Sequence, residues 1–178
     1  MPQRTSKRLV IDASVARSSG DETAVFPTSK RCRDFLSSTL KIGHQAVMTA
    51  AIRDEWNRHQ SRFARAWRVS MVARRKLHLI DVALDENLRE KISRVAARAQ
   101  DGETMLKDTH LIEAAIAADQ IVISLDETVR LLFIAAALRV GEIRRILWAN
   151  PDKIEEDCIG WLEGGARNER RRQLGFVE

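Results

Sequence analysis

The chain has 178 residues, with 30 basic and 25 acidic side chains and a formal net charge of +5. This size corresponds to one ordinary domain with a short extension. The two cysteines, Cys32 and Cys158, lie far apart and suggest neither a disulfide framework nor a zinc site. No apolar run approaches the length of a membrane span, and the polar, basic start does not fit a signal peptide. We therefore expect a soluble cytoplasmic protein with no membrane partner.

Short apolar runs alternate with segments of helical periodicity along the chain. The predicted strands cover residues 9–11, 44–49, 77–82, 121–125 and 145–149. The predicted helices cover 29–42, 50–73, 85–99, 106–118, 127–138 and 152–162, where 50–73 is either one long helix or two. We expect a loop over residues 17–28 and a helix end at Gly102. The alternation predicts an α/β three-layer sandwich, with a central parallel sheet flanked by helices. The domain is expected to cover residues 1–163, followed by a mobile basic tail over 164–178.

Positive charge is concentrated between residues 53 and 76, where eight basic and two acidic side chains leave a net charge of +6. Helical periodicity separates three arginines from three aromatic residues, namely Arg58, Arg62 and Arg65 on one side and Trp56, Phe63 and Trp67 on the other. We call the three arginines the basic ridge. The aromatic stripe is expected to be core. The charge suggests a polyanionic partner, most commonly nucleic acid, whose phosphates the ridge would contact, and a solvated helix face is the alternative.

Four carboxylates occupy positions where strand ends and helix starts are predicted. They are Asp12, Glu55, Asp108 and Asp126. In a doubly wound sheet these positions meet at one rim, which is where such sheets bind ligands. Carboxylates are the ligands that Mg²⁺ and Mn²⁺ prefer, and a cation held by them can polarise a phosphate and activate water. The four acids therefore predict a metal-binding, catalytic site for phosphodiester hydrolysis.

Each acid also has an ordinary structural interpretation. Asp108 and Asp126 each fit a helix N-cap, which is worth about 1 kcal/mol. Asp12 fits that interpretation less well, because the residues after it are not an obvious helix start. Asp54 is a rival of Glu55, although the helical period turns it about 100° away from the buried side. The prediction of a metal site therefore depends on the four acids together.

The order of these motifs resembles the PIN-domain family of metal-dependent ribonucleases. The similar motifs are a strand followed by Asp12-Ala13-Ser14, then Thr49-x-x-Ile52-x-x-Glu55-Trp56, then Asp108-x-x-Leu111-Ile112-x-Ala114-Ala115, and finally Ser124-x-Asp126. The resemblance implies a parallel sheet flanked by helices, a Mg²⁺ or Mn²⁺ site and endonucleolytic cleavage of RNA. Carried over by position, the four acids are metal ligands or water-orienting residues, and Ser14 and Ser124 are hydroxyl supports. His110 is expected to be a helix-surface histidine, because the site of this family contains only oxygen ligands.

Two features depart from the family pattern. Ser124 stands where threonine is common, a change that keeps the hydroxyl group. The chain is also longer than the compact PIN-domain toxins, which weakens a toxin assignment more than a nuclease assignment. If the protein is a toxin, the resemblance implies a small antitoxin protein as its partner. A homodimer is a further expectation, with Trp148 or Trp161 at the interface.

The leading interpretation is a metal-dependent endoribonuclease that acts on RNA. The alternative is a non-catalytic PIN-like module that binds RNA or a protein. A phosphatase or nucleotide hydrolase ranks lower, because the chain has no glycine-rich phosphate-binding loop and a small substrate has no use for the basic ridge.

Overall fold

A five-stranded sheet forms the centre of the molecule in a computed structural model that describes residues 6–177. The strands are β1 (Arg8–Ile11), β2 (Gln45–Met48), β3 (Leu77–Leu79), β4 (Ile121–Ile123) and β5 (Leu147–Ala149). Their spatial order is β3-β2-β1-β4-β5, and every neighbouring pair is parallel. Ile11 is in register with Ile123 across β1 and β4. The predicted parallel sheet is confirmed, with a strand in each of the five predicted segments.

Helices cover both faces of this sheet. They are α1 (Ala13–Ser18), α2 (Pro27–Ile42), α3 (Ala50–His59), α4 (Arg62–Ala73), α5 (Glu86–Val95), α6 (Ala99–Ile116), α7 (Glu127–Ala137) and α8 (Cys158–Glu163). Helix α2 contacts α1, α4 and α8, whereas α6 contacts α5 and α7. The three-layer α/β sandwich is therefore confirmed. Within residues 6–177, no helix combines the length and the apolar character that crossing a bilayer requires.

The core lies on both sides of strands β1, β2, β4 and β5, which are almost entirely buried. On one side Trp56 stacks on Trp67 with ring centroids 5.8 Å apart, and both rings are buried. These two residues of the aromatic stripe are therefore core, whereas Phe63 is only half-buried. Phe133 of α7 packs against Trp148 of β5 at 5.9 Å. Because both Trp148 and Trp161 are buried within the chain, neither is exposed for the dimer interface that the sequence suggested.

Several helix boundaries differ from the prediction. Residues 17–28 are not all loop, because α1 continues to Ser18 and α2 already begins at Pro27. Helix α1 has only six residues, which is too short for helical periodicity to be recognised. Residues 152–162 also do not form one helix, because a short 3₁₀ turn at Ile154–Glu156 precedes α8.

Gly102 lies inside α6 and does not end a helix. A Cβ atom at this position would come within 3.3 Å of Ala96 Cβ, just after the end of α5. The glycine therefore permits a close approach between the start of α6 and the end of α5. This contact outweighs the low helix propensity of glycine. Since α6 begins at Ala99, it is longer at its start than the predicted helix over 106–118.

Residues 164–177 are packed against the domain, which corrects the expectation of a separate tail. Arg172 is only 2% exposed, pairs with Glu156 at 3.2 Å, and lies 4.7 Å from the ring centroid of Trp161. The Leu174 N–H donates to a backbone carbonyl just before β5 over 2.9 Å. The arginine-rich composition suggested solvation, but a buried acid and an aromatic ring accommodate this guanidinium group.

Candidate metal centre

The sheet has its topological switch point between β1 and β4. The chain proceeds from β1 to β2 and β3 on one side, then returns to β4 and β5 on the other. Crevices that bind ligands open at the carboxyl ends of strands at such a point. Asp12 directly follows β1, and Ser124 directly follows β4. The N–H of Asp12 also donates to the Ile123 carbonyl over 2.9 Å, so these two strand ends are locked side by side.

Two serine hydroxyls hold the carboxylate of Asp12. Asp12 stands at the N-cap position of α1, but its side chain makes no capping hydrogen bond. Instead, its Oδ2 accepts hydrogen bonds from Ser14 Oγ and from Ser124 Oγ, the latter over 2.9 Å. Each hydroxyl oxygen accepts a backbone N–H in turn, from Leu125 at Ser14 and from Asp126 at Ser124, both over 3.1 Å. A carboxylate oxygen can only accept, so both hydroxyl protons are directed at Asp12 while the hydroxyl oxygens accept the backbone N–H groups.

Asp126 caps a helix and still presents a carboxylate at the crevice. Its Oδ1 accepts the Val129 N–H over 2.9 Å at the start of α7, so the N-cap interpretation is correct for this residue. The neighbouring Glu127 is instead bound by Asn150 at 2.9 Å and Lys153 at 2.8 Å. Since the charge of Glu127 is already compensated, Asp126 is the better candidate for a cation ligand.

Glu55 faces the interior of the site, whereas Asp54 does not. Thr49 caps the start of α3 by accepting the Ile52 N–H, which places Glu55 in the second turn of that helix. The Glu55 side chain is 30% exposed, and its Oε2 lies 3.3 Å from His110 Nε2 of α6. The Asp54 side chain is 61% exposed and pairs with its neighbour Arg53 at 3.5 Å. The structure therefore favours Glu55 over its rival.

Asp108 lies in the middle of α6, which corrects the expectation that it opens a helix. It is therefore not an N-cap. Helix α6 contacts both β1 and β4, which brings its middle turns to the crevice. Burial raises the pKa of Asp108 to about 6, and the charges of Asp12, Asp126 and Glu55 also raise it, while His110 opposes them. All four predicted acids thus lie close enough to interact electrostatically.

His110 is a residue of this site that sequence reasoning assigned to the helix surface. Its side chain is only 11% exposed, and its Nδ1 lies 2.8 Å from the Lys107 carbonyl oxygen. A sequence signal for its burial existed. The following residues 111–115 are apolar except for Glu113, and five consecutive residues cover every face of the helix. Such a segment is buried all round, so the turn that contains His110 is adjacent to the core.

The chemical type of these ligands, carboxylate oxygens, suits a hard or borderline divalent cation. Besides burial, three carboxylates raise the pKa of the fourth, Asp108, and a cation among them would relieve this repulsion. Over residues 6–177, no three His, Cys, Asp or Glu side chains are arranged so that they would together hold a metal ion. Mg²⁺ keeps several waters and is commonly bound through only one or two carboxylates, so a closed protein cage is not required for this fit.

The basic ridge is exposed but is divided between two helices. Arg58 belongs to α3, while Arg62 and Arg65 belong to α4, and all three are exposed. Arg62 lines a shallow pocket of about 360 Å³ together with Asp21, and Arg65 lines a different one of about 320 Å³ together with Arg68. The arginines therefore do not converge on one pocket, and their contact with RNA stays a prediction.

Comparisons with protein-family models, with curated proteins and with solved structures found no match to this chain. The resemblance to the PIN-domain family stays a prediction that rests on the four sequence motifs. Independently of those motifs, the described residues place the four acids around the crevice between β1 and β4.

Proposed function

We propose that this chain is a divalent-metal-dependent endoribonuclease that hydrolyses RNA phosphodiester bonds at the crevice between β1 and β4. The observation that carries the proposal is the electrostatic convergence of Asp12, Glu55 and Asp126 on Asp108. Gathering like charges in a partly buried place destabilises a fold, so such clusters are typical of functional sites. The toxin role is a narrower prediction within this proposal.

In this proposal the four carboxylates would hold the cation either directly or through its bound waters. Asp12 is the best-oriented of them because two hydroxyls fix it. A cation bound there supplies a Lewis acid for a phosphate oxygen and a water of lowered pKa. The basic ridge would hold the phosphates that flank the cleaved bond. In the overall reaction, water adds to phosphorus and the P–O3′ bond breaks, which leaves a 3′-hydroxyl on one fragment and a 5′-phosphate on the other.

Cleavage of an end-labelled, partly single-stranded RNA by the full chain tests the catalytic part of the proposal. The reactions contain Mn²⁺, Mg²⁺ or a chelator, and the products are analysed for their terminal groups. We expect cleavage with metal only, and a loss of at least about 100-fold in the Asp12→Asn/Asp126→Asn double variant. The matched control is Asp54→Asn, which removes an exposed acid and is expected to retain full activity.

Cleavage equal in the wild type and the double variant would contradict the catalytic proposal. Products ending in 2′,3′-cyclic phosphate would also contradict it, because they arise from attack by the RNA 2′-hydroxyl and not by water. Loss of activity in the Asp54→Asn control would show that the assay responds to surface charge and not to the crevice.

The salt dependence of RNA binding tests the basic ridge. Replacing its three arginines with glutamine is expected to make RNA binding less dependent on salt. The negative slope of the logarithm of the binding constant against the logarithm of salt concentration should become less steep by about 0.7 for each lost phosphate contact. The control removes the same charge elsewhere, at the exposed residues Lys41, Arg139 and Arg145. An unchanged slope in the ridge variant would reduce the ridge to a solvated helix face.

The second candidate is a non-catalytic module that binds RNA or a protein. The observation that favours it is the exposed basic ridge, which can bind a polyanion without any catalytic centre. Thermal unfolding with increasing Mn²⁺ separates the two candidates. A nuclease is expected to gain melting temperature as the cation neutralises its acids, whereas a module without a metal site is expected to gain none and still bind RNA.

A further inference from the structure

We infer that His110 contributes a nitrogen ligand to the cation site, so that the site prefers a transition-metal ion such as Mn²⁺ over Mg²⁺. This inference rests on the proposed function, since it concerns the cation of the same crevice. It adds a residue of a different chemical type to the four carboxylates, one that the motif pattern excluded.

The hydrogen bonding of the imidazole determines which ring nitrogen carries a proton. His110 Nδ1 lies 2.8 Å from the backbone carbonyl oxygen of Lys107. A carbonyl oxygen can only accept, so Nδ1 must carry the hydrogen of this bond. In the neutral ring, Nε2 then has a lone pair and no hydrogen. Fixing one nitrogen by a backbone carbonyl, and so leaving the other to bind metal, is the usual arrangement of a metal-bound histidine.

The surroundings of Nε2 leave its lone pair without a donor. The atom is buried and makes no hydrogen bond among the described residues. Its neighbour across the contact between α3 and α6 is Glu55 Oε2 at 3.3 Å. A lone pair and a carboxylate oxygen repel each other at this distance, and a cation bound to both removes the conflict. A proton on Nε2 is the competing solution, and the experiment below separates the two.

The separation of the two atoms suits two ligands of one ion. Metal–nitrogen and metal–oxygen bonds of about 2.1 Å put two ligands roughly 3.4 Å apart at a tetrahedral angle and roughly 3.0 Å apart at a right angle. The observed 3.3 Å between His110 Nε2 and Glu55 Oε2 lies within that range. Imidazole suits transition-metal ions, whereas Mg²⁺ prefers oxygen ligands, so a nitrogen donor shifts the preference of the site away from Mg²⁺.

Metal binding by the full chain, without RNA, tests the inference. Calorimetric titrations with MnCl₂ and with MgCl₂ compare the wild type with His110→Asn. Asparagine keeps an amide donor near the position of Nδ1 and removes the Nε2 lone pair. The control is His78→Asn, which removes an exposed imidazole on β3. Pulsed electron paramagnetic resonance of the Mn²⁺-loaded wild type detects nitrogen bound to the ion directly.

We expect nitrogen coupling in the wild type and in His78→Asn, and its loss in His110→Asn. We also expect Mn²⁺ affinity to fall at least about tenfold in His110→Asn, with a smaller change for Mg²⁺. Absence of nitrogen coupling in the wild type overturns the inference, and this readout does not depend on whether the variant folds. Equal Mn²⁺ affinity in a folded His110→Asn protein, as expected for a protonated imidazole, also overturns it.

The outcomes separate this inference from the proposed function. Nitrogen-coupled Mn²⁺ in a protein that does not cleave RNA supports the inference and counts against the nuclease proposal. Metal-dependent cleavage by a protein without nitrogen coupling supports the nuclease proposal and overturns the inference. Failure of the wild type to bind Mn²⁺ overturns both.

Discussion

Replacing Asp108 with asparagine is expected to stabilise the metal-free fold at neutral and alkaline pH. Burial and the nearby charge of Asp12 raise the pKa of Asp108 from 3.8 to about 6, so the folded state disfavours the charged form of this carboxyl group. Asparagine is similar in size and carries no charge. The substitution therefore removes the unfavourable ionisation while leaving the side chain in place.

The magnitude follows from the difference between the folded and unfolded pKa values. A change from 3.8 to about 6 corresponds to about 3 kcal/mol, as an upper value because the group is only partly buried. Between these two pH values the folded state binds a proton that the unfolded state has released. Stability of the wild type is therefore lost as the pH rises from 3.8 to about 6, and the loss is complete above that window.

Urea denaturation in the presence of a chelator checks this prediction at pH 8 and at pH 4. We expect Asp108→Asn to be more stable than the wild type by about 1 to 3 kcal/mol at pH 8, and the difference to be small at pH 4. The exposed Asp54→Asn variant is the control and is expected to show little change at either pH. The reasoning is refuted if Asp108→Asn gains nothing at pH 8, or if its gain is equally large at pH 4.

Three further substitutions test the core, the packed end of the chain and the orientation of the site. Trp56→Ala is expected to lower the free energy of unfolding by about 3 to 5 kcal/mol, measured in urea, because the ring is fully buried; a loss below about 1 kcal/mol would contradict its core role. Arg172→Met removes one partner of Glu156, which keeps Arg130, and is expected to cost about 1 to 3 kcal/mol. Wild-type stability would mean that residues 164–177 contribute little. Ser124→Ala is expected to lower RNA cleavage roughly tenfold with little change in melting temperature, because the carboxylate of Asp12 loses one of its two orienting hydroxyls. An unchanged cleavage rate would show that this hydroxyl is dispensable.

Much of the fold could be predicted because strands and long helices are marked by local patterns. The runs before Asp12 and Asp126 are apolar and mostly β-branched, which is typical of strands buried on both faces. Their alternation with helical segments implied parallel neighbours, and β1 does pair with β4. Elements shorter than two helical turns, such as α1, have no period to recognise.

The errors have a common physical origin in contacts between distant segments. Gly102 looked like a helix end, yet it lies inside α6, where its missing Cβ leaves room for Ala96. Arg172 looked solvated, yet Glu156 and Trp161 bury it. In each case a local preference of about 1 kcal/mol is outweighed by a tertiary contact that the local pattern does not contain.

The same division holds for the candidate metal centre. The sequence by itself determined the residue types and their order, because an acid after a buried strand must lie at the carboxyl edge of the sheet. Only the tertiary structure decided that Asp108 reaches the crevice from the middle of a helix, and that His110 turns its unpartnered nitrogen toward Glu55. Side-chain direction depends on which helix packs across the crevice, and that is a property of the assembled layers and not of any one segment.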